Sequence, residues 1–324
     1  MDPLAAVWRR RVGFALVLAL LVIGPPYLPP FLLTLLTQTL IDSILAMGLD
    51  LILGYAGLSS LGHAAYLGLG AYSVGILTTR HGAGFWATLV VGIVAAVVVA
   101  AIFGLLALRA TGVYFLMITL ALGMVIWGLA NRWVSLTGGD NGISSIPRPD
   151  LGLPWSFGQS LPYYYLVLAS FAAAFAVLRM IVRSPFGHTL VGIRESESRM
   201  RTLGYNVWLH KYIAFLISGG VGGFAGVLWC YYNGYVSPSD FDLAVSIEAL
   251  LMVALGGRGT LFGASIGAAV IVLLKNLVSV YTRRWLLILG LVYVGTIRYA
   301  PEGIVGALKE WVEWSRLQMQ RRAT

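Results

Sequence analysis

The side chains best suited to chemistry in this sequence are carboxylates set among apolar residues. Thr34, Gln38, Asp42 and Asp50 recur at steps of four or eight residues, with Ala46 filling the gap, so a helix presents them on one face. An ionised carboxylate at the centre of a membrane helix costs about 3 kcal/mol on insertion scales, so such groups normally face protein or water. Gln38, Asp42 and Asp50 are therefore candidates either for a polar path across a membrane or for hydrogen bonds between helices.

One histidine, His63, stands in segment 54–72, which is otherwise rich in glycine, alanine and other small residues. A metal site needs further His, Cys or acidic ligands at suitable spacing, and this segment provides none. We therefore predict no metal site and expect His63 to form a hydrogen bond between helices or at a polar path. Cys230, the single cysteine, excludes an intrachain disulfide and a cysteine-based metal cluster.

The composition excludes an ordinary soluble domain, because 59% of the residues are hydrophobic and only 11% are charged. Long runs such as 87–108 are apolar on every face, which indicates helices rather than the alternating strands of a membrane barrel. We predict an all-α, polytopic membrane protein with about ten membrane-embedded segments, the first a retained helix rather than a signal peptide. The segments span roughly 12–28, 31–53, 58–79, 84–107, 112–131, 161–182, 208–232, 244–257, 260–281 and 285–299.

The distribution of Lys and Arg predicts that both termini lie in the cytoplasm. Residues 1–306 then form one transmembrane domain, with an external loop at 131–160 and a cytoplasmic loop at 183–207. The cytoplasmic loop is amphipathic, so it is either a solvated helix on the membrane surface or a docking element for a soluble partner. The tail, 307–324, is predicted to be an amphipathic segment that contacts lipid headgroups on the cytoplasmic side.

Small side chains recur at helical spacing in three places, and such residues let membrane helices approach closely. Because lipid gives helices no hydrophobic reason to associate, packing is favoured over direct contact with a ligand. The three predicted stripes are Ser60, Ala64 and Gly68; Gly219, Gly222, Gly223 and Gly226; and Gly259, Gly263 and Gly267.

The sequence lacks the motifs of several enzyme classes. It contains neither the G-x-x-x-x-G-K-[ST] phosphate loop nor an H-E-x-x-H metal pair, and its one G-x-S-x-G match, 263–267, lies inside a predicted apolar membrane segment rather than in a strand-to-helix elbow. We therefore expect no nucleotide hydrolysis by this chain and no enzymatic activity. The net charge of +9 is not taken to indicate nucleic-acid binding, because basic residues in a membrane protein report orientation.

Six motifs occur in order between about residues 40 and 306, and together they resemble the LivM-type permease family of bacterial branched-chain amino-acid ABC importers. They are GLDLILGYAGLSSLGHAAYLGLGAY, TGGDNGISSIPRP, IRESESRMRTLGYNV, NGYVSPSDF, SIEALLMVALGGRGTLFGASIGA and RYAPEGIVG. The resemblance implies a multi-pass subunit of the bacterial cytoplasmic (inner) membrane. Its implied partners are a homologous second permease, two cytoplasmic ABC ATPase subunits that use ATP, and a periplasmic or extracellular substrate-binding protein. No cofactor is expected on this chain itself.

The segment RESESRMRTLG is similar to the short cytoplasmic helix that transmits ATPase closure in such importers. The resemblance thereby implicates Arg194, Glu195, Glu197, Arg199 and Gly204 in coupling. This chain departs from the family at Arg199 and Met200, where relatives often carry small alanines.

The resemblance favours branched-chain or other hydrophobic amino acids as the substrate. Relatives with similar motifs import urea, short amides or aromatic acids, and these remain alternatives. An ion-coupled secondary transporter that relays ions through Asp42 and Asp50 is a candidate from another mechanistic class. A membrane scaffold without transport activity is a third.

Overall fold

The computed structural model describes residues 21–149, 160–282, 284–299 and 303–306. Within these ranges the regular elements are helices, in agreement with the predicted all-α class. The main helices are α1 Pro30–Asp50, α2 His63–His81, α3 Phe85–Ala107, α4 Val113–Arg132, α5 Ser160–Arg183, α6 Pro185–Glu195, α7 Glu197–Thr202, α8 Val207–Asn233, α9 Leu243–Gly256, α10 Leu261–Tyr281 and α11 Trp285–Tyr299. A π-helical turn, Leu51–Tyr55, continues α1.

Six of the described helices are long and apolar enough to cross a membrane: α1 with its π turn, α3, α4, α5, α8 and α10. The predicted count of about ten segments is not confirmed. Helices α9 and α11 have 14 and 15 residues, which at about 1.5 Å per residue is too short for a bilayer core of about 30 Å. Most of the predicted first segment, and the tail 307–324, lie outside the described residues.

Helix α8 packs on α3 through glycines at one-turn spacing. A Cβ atom built on Gly219 would overlap the Cβ of Ala100, and one built on Gly223 would overlap the Cβ of Ala96. Glycine on one helix and alanine on the other therefore let the two backbones lie close together, and the described contact supports the packing role expected of these residues.

The neighbouring glycines of α8 face a different helix, α2. A Cβ on Gly226 would overlap the carbonyl oxygen of Leu67, and one on Gly222 would lie 3.0 Å from the Cβ of Tyr66. The two interleaved glycine pairs of this predicted stripe thus face two different helices. Together they allow α8 to sit between α2 and α3 at the centre of the described helices.

The first predicted stripe is wrong at Ser60, because α2 begins only at His63. Ser60 lies in the irregular segment before the helix, buried, where its hydroxyl accepts a hydrogen bond from the Gly62 amide at 3.2 Å. Ala64 and Gly68 do belong to α2. The Ala64 amide donates to the Ser246 hydroxyl of α9 at 2.9 Å.

The third predicted stripe also begins too early, because its first residue, Gly259, precedes the helix that carries the other two. Gly259 lies in the connection between α9 and α10 with a φ of +74°, a left-handed conformation that favours glycine. Gly263 and Gly267 lie in α10, where added Cβ atoms would meet the backbone oxygens of Gly256 and Met252. These two glycines therefore allow the close α9–α10 contact.

The predicted cytoplasmic loop folds as two helices, α6 and α7, rather than as one. Ser184 and Ser196 precede them as N-caps, and the extended backbone of Ser196 separates the two. Leu190 and Ile193 of α6 are buried, as an anchoring face requires, whereas Leu203 is 66% exposed and does not join that face.

The described part of the predicted external loop contacts the connection that follows α8. Ile143 and Val236 exchange two backbone hydrogen bonds of 2.8 and 3.0 Å. The loop is therefore fixed beside the end of α8.

Candidate translocation and coupling site

Asp50, the last residue of α1, links this helix to the α9–α10 connection. Its side chain is fully buried, and Oδ1 accepts a hydrogen bond from the Gly259 amide at 2.8 Å. The two segments lie so close that a Cβ on Gly54, in the π turn, would be 2.7 Å from the Gly259 Cα. A side chain larger than hydrogen at position 54 cannot fit without moving one of the segments.

Arg194, in the last turn of α6, reaches the same place. Its Nη1 donates a hydrogen bond to the Gly54 carbonyl, and a Cβ on Gly259 would lie 3.2 Å from that nitrogen. Its aliphatic stem covers Gly57, where an added Cβ would lie 2.9 Å from the arginine Cγ. We call Asp50, Gly54, Arg194 and Gly259 the inner seam. Asp50 was predicted to line a path or to bond between helices, Arg194 was implicated in coupling by the family resemblance, and Gly259 was assigned to packing. The structure brings the three together.

Glu197, at the start of α7, has partners within the chain. It forms an ion pair with Lys211 of α8, whose side chain is 8% exposed, and a longer contact of 3.4 Å with Arg201. The sequence assigned Glu197 to a coupling surface and did not single out Lys211. The structure adds a role in fixing α7 against the base of α8.

The other predicted coupling residues lie at the surface. Glu195 and Arg199 are both exposed. Gly204 ends the segment with a φ of +86°, and a Cβ built there would meet nothing within 4 Å. Replacing Gly204 therefore strains the backbone without creating a clash. This surface carries charges of both signs that a soluble partner can contact.

A charged cluster surrounds Asp42 on the polar face of α1. Lys275 of α10 lies 2.9 and 3.0 Å from the two carboxylate oxygens of Glu248 in α9, and both groups interact electrostatically with Asp42. The Gln38 side chain also interacts with the Asp42 carboxyl group. Lys275 was not among the residues predicted from the sequence, although a lone lysine within an apolar membrane segment is itself a signal for a buried acidic partner.

His63 forms the hydrogen bond between helices that its position suggested. Its Nε2 lies 2.7 Å from the Ser218 hydroxyl of α8, and that hydroxyl donates to the Gly48 carbonyl of α1 at 2.5 Å. Because Ser218 has one proton, it must accept from the Nε2–H of His63. This chain of hydrogen bonds joins α2, α8 and α1.

The sequence of this chain matches a known protein family and individual relatives over the segments described above. The family described as branched-chain amino acid transport system / permease component matches residues 31–297. The chain belongs to this family. The matched range contains the inner seam, the charged cluster and His63. Family membership makes the chain a transport permease, which is not in itself an enzyme, and its apolar helices fit a multi-pass membrane protein.

Individual relatives agree with the family. The chain is 31% identical to the high-affinity branched-chain amino acid transport system permease protein LivM of Escherichia coli K12 over 83% of this chain and 68% of the relative. It is 32% identical to LivM of Salmonella typhimurium LT2, over 89% of this chain and 74% of the relative. It is also 26% identical to the LivH permease of Escherichia coli K12, over 74% and 82% of the two chains. No solved structure matches the chain significantly.

Proposed function

We propose that this permease is one of two homologous membrane subunits of an ABC importer for branched-chain or other hydrophobic amino acids. The names of the LivM relatives support the substrate class, and similarity to both LivM and LivH supports a pair of related permeases. Two ATPase subunits would hydrolyse ATP, a separate binding protein would deliver substrate, and this chain would bind no cofactor. Urea, short amides and aromatic acids are the alternative cargoes.

The proposed orientation puts α6, α7 and both termini on the cytoplasmic side of the bacterial inner membrane. The excess of Lys and Arg in the predicted inner loops supports it. In this orientation the exposed side chains of Glu195 and Arg199 are available to an ATPase subunit, while the buried face of α6 holds the helix to the membrane domain.

The observation that carries the proposal is the hydrogen bond from Arg194 to the Gly54 carbonyl. It ties the last turn of α6 directly to the seam where α1 ends and α9 turns into α10. Asp50 holds the two sides of that seam together through the Gly259 amide. A displacement of α6 by a closing ATPase would therefore move the ends of α1, α9 and α10 as a group.

Ion-coupled secondary transport is the second candidate, and the cluster of Asp42, Glu248 and Lys275 favours it. Ionisable residues within membrane helices often mark ion or proton pathways. Here, however, Glu248 is paired with Lys275, so its charge is balanced within the protein. That pairing supports a structural role and leaves ATP-driven import as the leading proposal.

The test uses the permease pair, the ATPase subunits and the binding protein reconstituted in proteoliposomes, with leucine uptake and ATP hydrolysis measured together. Arg194→Gln should leave assembly intact but reduce the leucine imported per ATP hydrolysed by about tenfold, because it removes a hydrogen bond made by a charged group. Arg109→Gln, a change at an exposed arginine in the α3–α4 connection, is the matched control. A wild-type ratio of leucine imported to ATP hydrolysed in Arg194→Gln would mean that the inner seam does not connect the ATPase to the membrane helices. Leucine uptake without ATP would favour secondary transport.

A further inference from the structure

A cavity of about 220 Å³ lies where the first turns of α1 and α5 meet the last turn of α8. Thr34 and Thr37 of α1 line it, and so does Arg148 of the predicted external loop. Thr37 is 13 residues from Asp50, or roughly 20 Å along the helix at 1.5 Å per residue. The cavity is thus at the opposite end of α1 from the inner seam and has no part in coupling.

Arg148 is the one charged residue among the described residues that line this cavity. Its guanidinium lies over the ring of Tyr163, 5.3 Å from the ring centroid. Contact with an aromatic face positions the guanidinium but does not neutralise its charge. Arginine presents five N–H donors in a planar fork that matches a carboxylate, so the cavity offers a positioned group for a carboxylate ligand.

Two threonine hydroxyl groups in the cavity can accept hydrogen bonds from a ligand. Thr34 donates its hydroxyl proton to the Pro30 carbonyl, and Thr37 donates to the Leu33 carbonyl, both at 2.8 Å. With their protons used in this way, the two oxygens retain lone pairs and act as acceptors. An ammonium group has hydrogen-bond donors and no acceptor, so it can donate to the two threonine oxygens.

The cavity is open on one side, and its volume indicates the size of ligand that suits it. A cavity of about 150 Å³ holds benzene, and sites for drug-sized ligands begin at about 300 Å³. At about 220 Å³ this cavity fits a molecule between those two sizes. A free amino acid with a modest side chain combines that size with one carboxylate and one ammonium group.

We propose that this cavity is an entry site for a zwitterionic amino acid, with Arg148 bound to its carboxylate and the hydroxyl oxygens of Thr34 and Thr37 accepting from its ammonium group. The proposal rests on the proposed function and narrows its substrate class, since urea and short amides lack a carboxylate. The binding protein is then not the only element that recognises the carboxylate. A second recognition step occurs on this chain at the end of α1.

The cavity adjoins the polar face of α1. The Tyr232 hydroxyl, which also lines the cavity, donates to the Thr34 carbonyl at 3.1 Å and lies in electrostatic range of both Arg148 and Asp42. Asp42 is eight residues beyond Thr34 on the same helical face. A ligand held at Arg148 is therefore placed at the start of the row of polar side chains first noted in the sequence.

The test measures access to a cysteine placed in the cavity. Cys230, which is buried, is changed to Ser, and Asn233→Cys then provides one thiol at a lining position with no role in the proposed binding. In the reconstituted permease and ATPase complex, without binding protein, leucine should slow labelling by an anionic methanethiosulfonate, whereas leucinamide and urea should not. Arg148→Gln should raise the leucine concentration needed for half-maximal protection by about tenfold or more.

The matched control is Arg132→Gln, at an exposed arginine that ends α4 beside the same external loop. It should leave protection by leucine unchanged. Absence of labelling, equal protection by leucinamide, or full protection in Arg148→Gln would each overturn the proposal. ATP-driven leucine uptake is measured separately, so failure of the entry site is distinguishable from failure of the proposed function.

Discussion

Lys275 and Glu248 form an ion pair between α10 and α9, with Nζ within 3.0 Å of both carboxylate oxygens. The Glu248 side chain is 10% exposed and that of Lys275 is 35% exposed. Desolvating two charges costs free energy that their attraction repays only when the geometry is good, and removing one partner leaves an uncompensated buried charge. Replacing one residue of the pair is therefore expected to cost more stability than replacing both.

Lys275→Met alone should destabilise the permease strongly, by about 3 to 5 kcal/mol, because it leaves the buried Glu248 carboxylate without its ammonium partner. Glu248→Leu combined with Lys275→Met should recover most of this loss, because no charge of the pair then remains buried. Thermal unfolding in detergent and ATP-driven leucine uptake measure the two effects. A double variant that is stable yet inactive would show that these charges take part in transport.

Gly226→Ala should lower stability by about 1 to 3 kcal/mol, the usual cost of overpacking. The added methyl group would overlap the Leu67 carbonyl oxygen of α2, and backbone cannot move aside as a flexible side chain can. Gly128→Ala in α4 is the control, because a Cβ there meets nothing within 4 Å. Equal unfolding temperatures for the two variants would argue against close packing as the reason for glycine at position 226.

The bond between His63 and Ser218 should be measurable with a double-mutant cycle. His63→Ala, Ser218→Ala and the double variant should give a coupling energy of about 0.6 kcal/mol, with an upper value near 1.7 kcal/mol for hydrogen bonds between membrane helices. His63→Gln should retain substantial transport, because an amide donates a hydrogen bond but is a poor metal ligand. Metal-dependent transport that is abolished by His63→Gln would contradict the structural assignment.

Glu197→Lys should impair the docking of α7 on α8, because it places a second ammonium group beside the buried Lys211. The exchanged pair, Glu197→Lys with Lys211→Glu, should recover most leucine uptake and stability. Arg201→Gln tests the exposed contact of Glu197 and should cost only about 0.3 to 0.5 kcal/mol. Uptake equally reduced in the single and exchanged variants would mean that Glu197 contacts another protein directly.

Hydropathy predicted the long helices because each one is apolar over most of its length. The segment predicted at 84–107, for example, is observed as Phe85–Ala107. The start of α2 was predicted at 58 but lies at His63, since glycine, serine and alanine suit an irregular buried segment as well as a helix. Uniform hydropathy therefore locates a membrane segment without fixing where its helix begins.

The inner seam could not be assembled from the sequence. Arg194 and Gly54 are 140 positions apart, and Asp50 and Gly259 are 209 apart, so no local spacing relates them. Three of the seam's four residues carried separate signals: a carboxylate on a polar face, an arginine in a charged loop, and a glycine in a predicted stripe. Only the three-dimensional arrangement identifies which of these signals belong to one site.

The π turn at Leu51–Tyr55 has a consequence for comparing this chain with its relatives. A π turn holds one residue more than the α-helical path it replaces, and each residue of an α-helix advances the direction of the next by about 100°. Deleting one residue here would restore a regular helix and turn the Gly54 carbonyl away from Arg194. A one-residue alignment gap at this place in a relative would therefore signal a different inner contact, even where every neighbouring motif is kept.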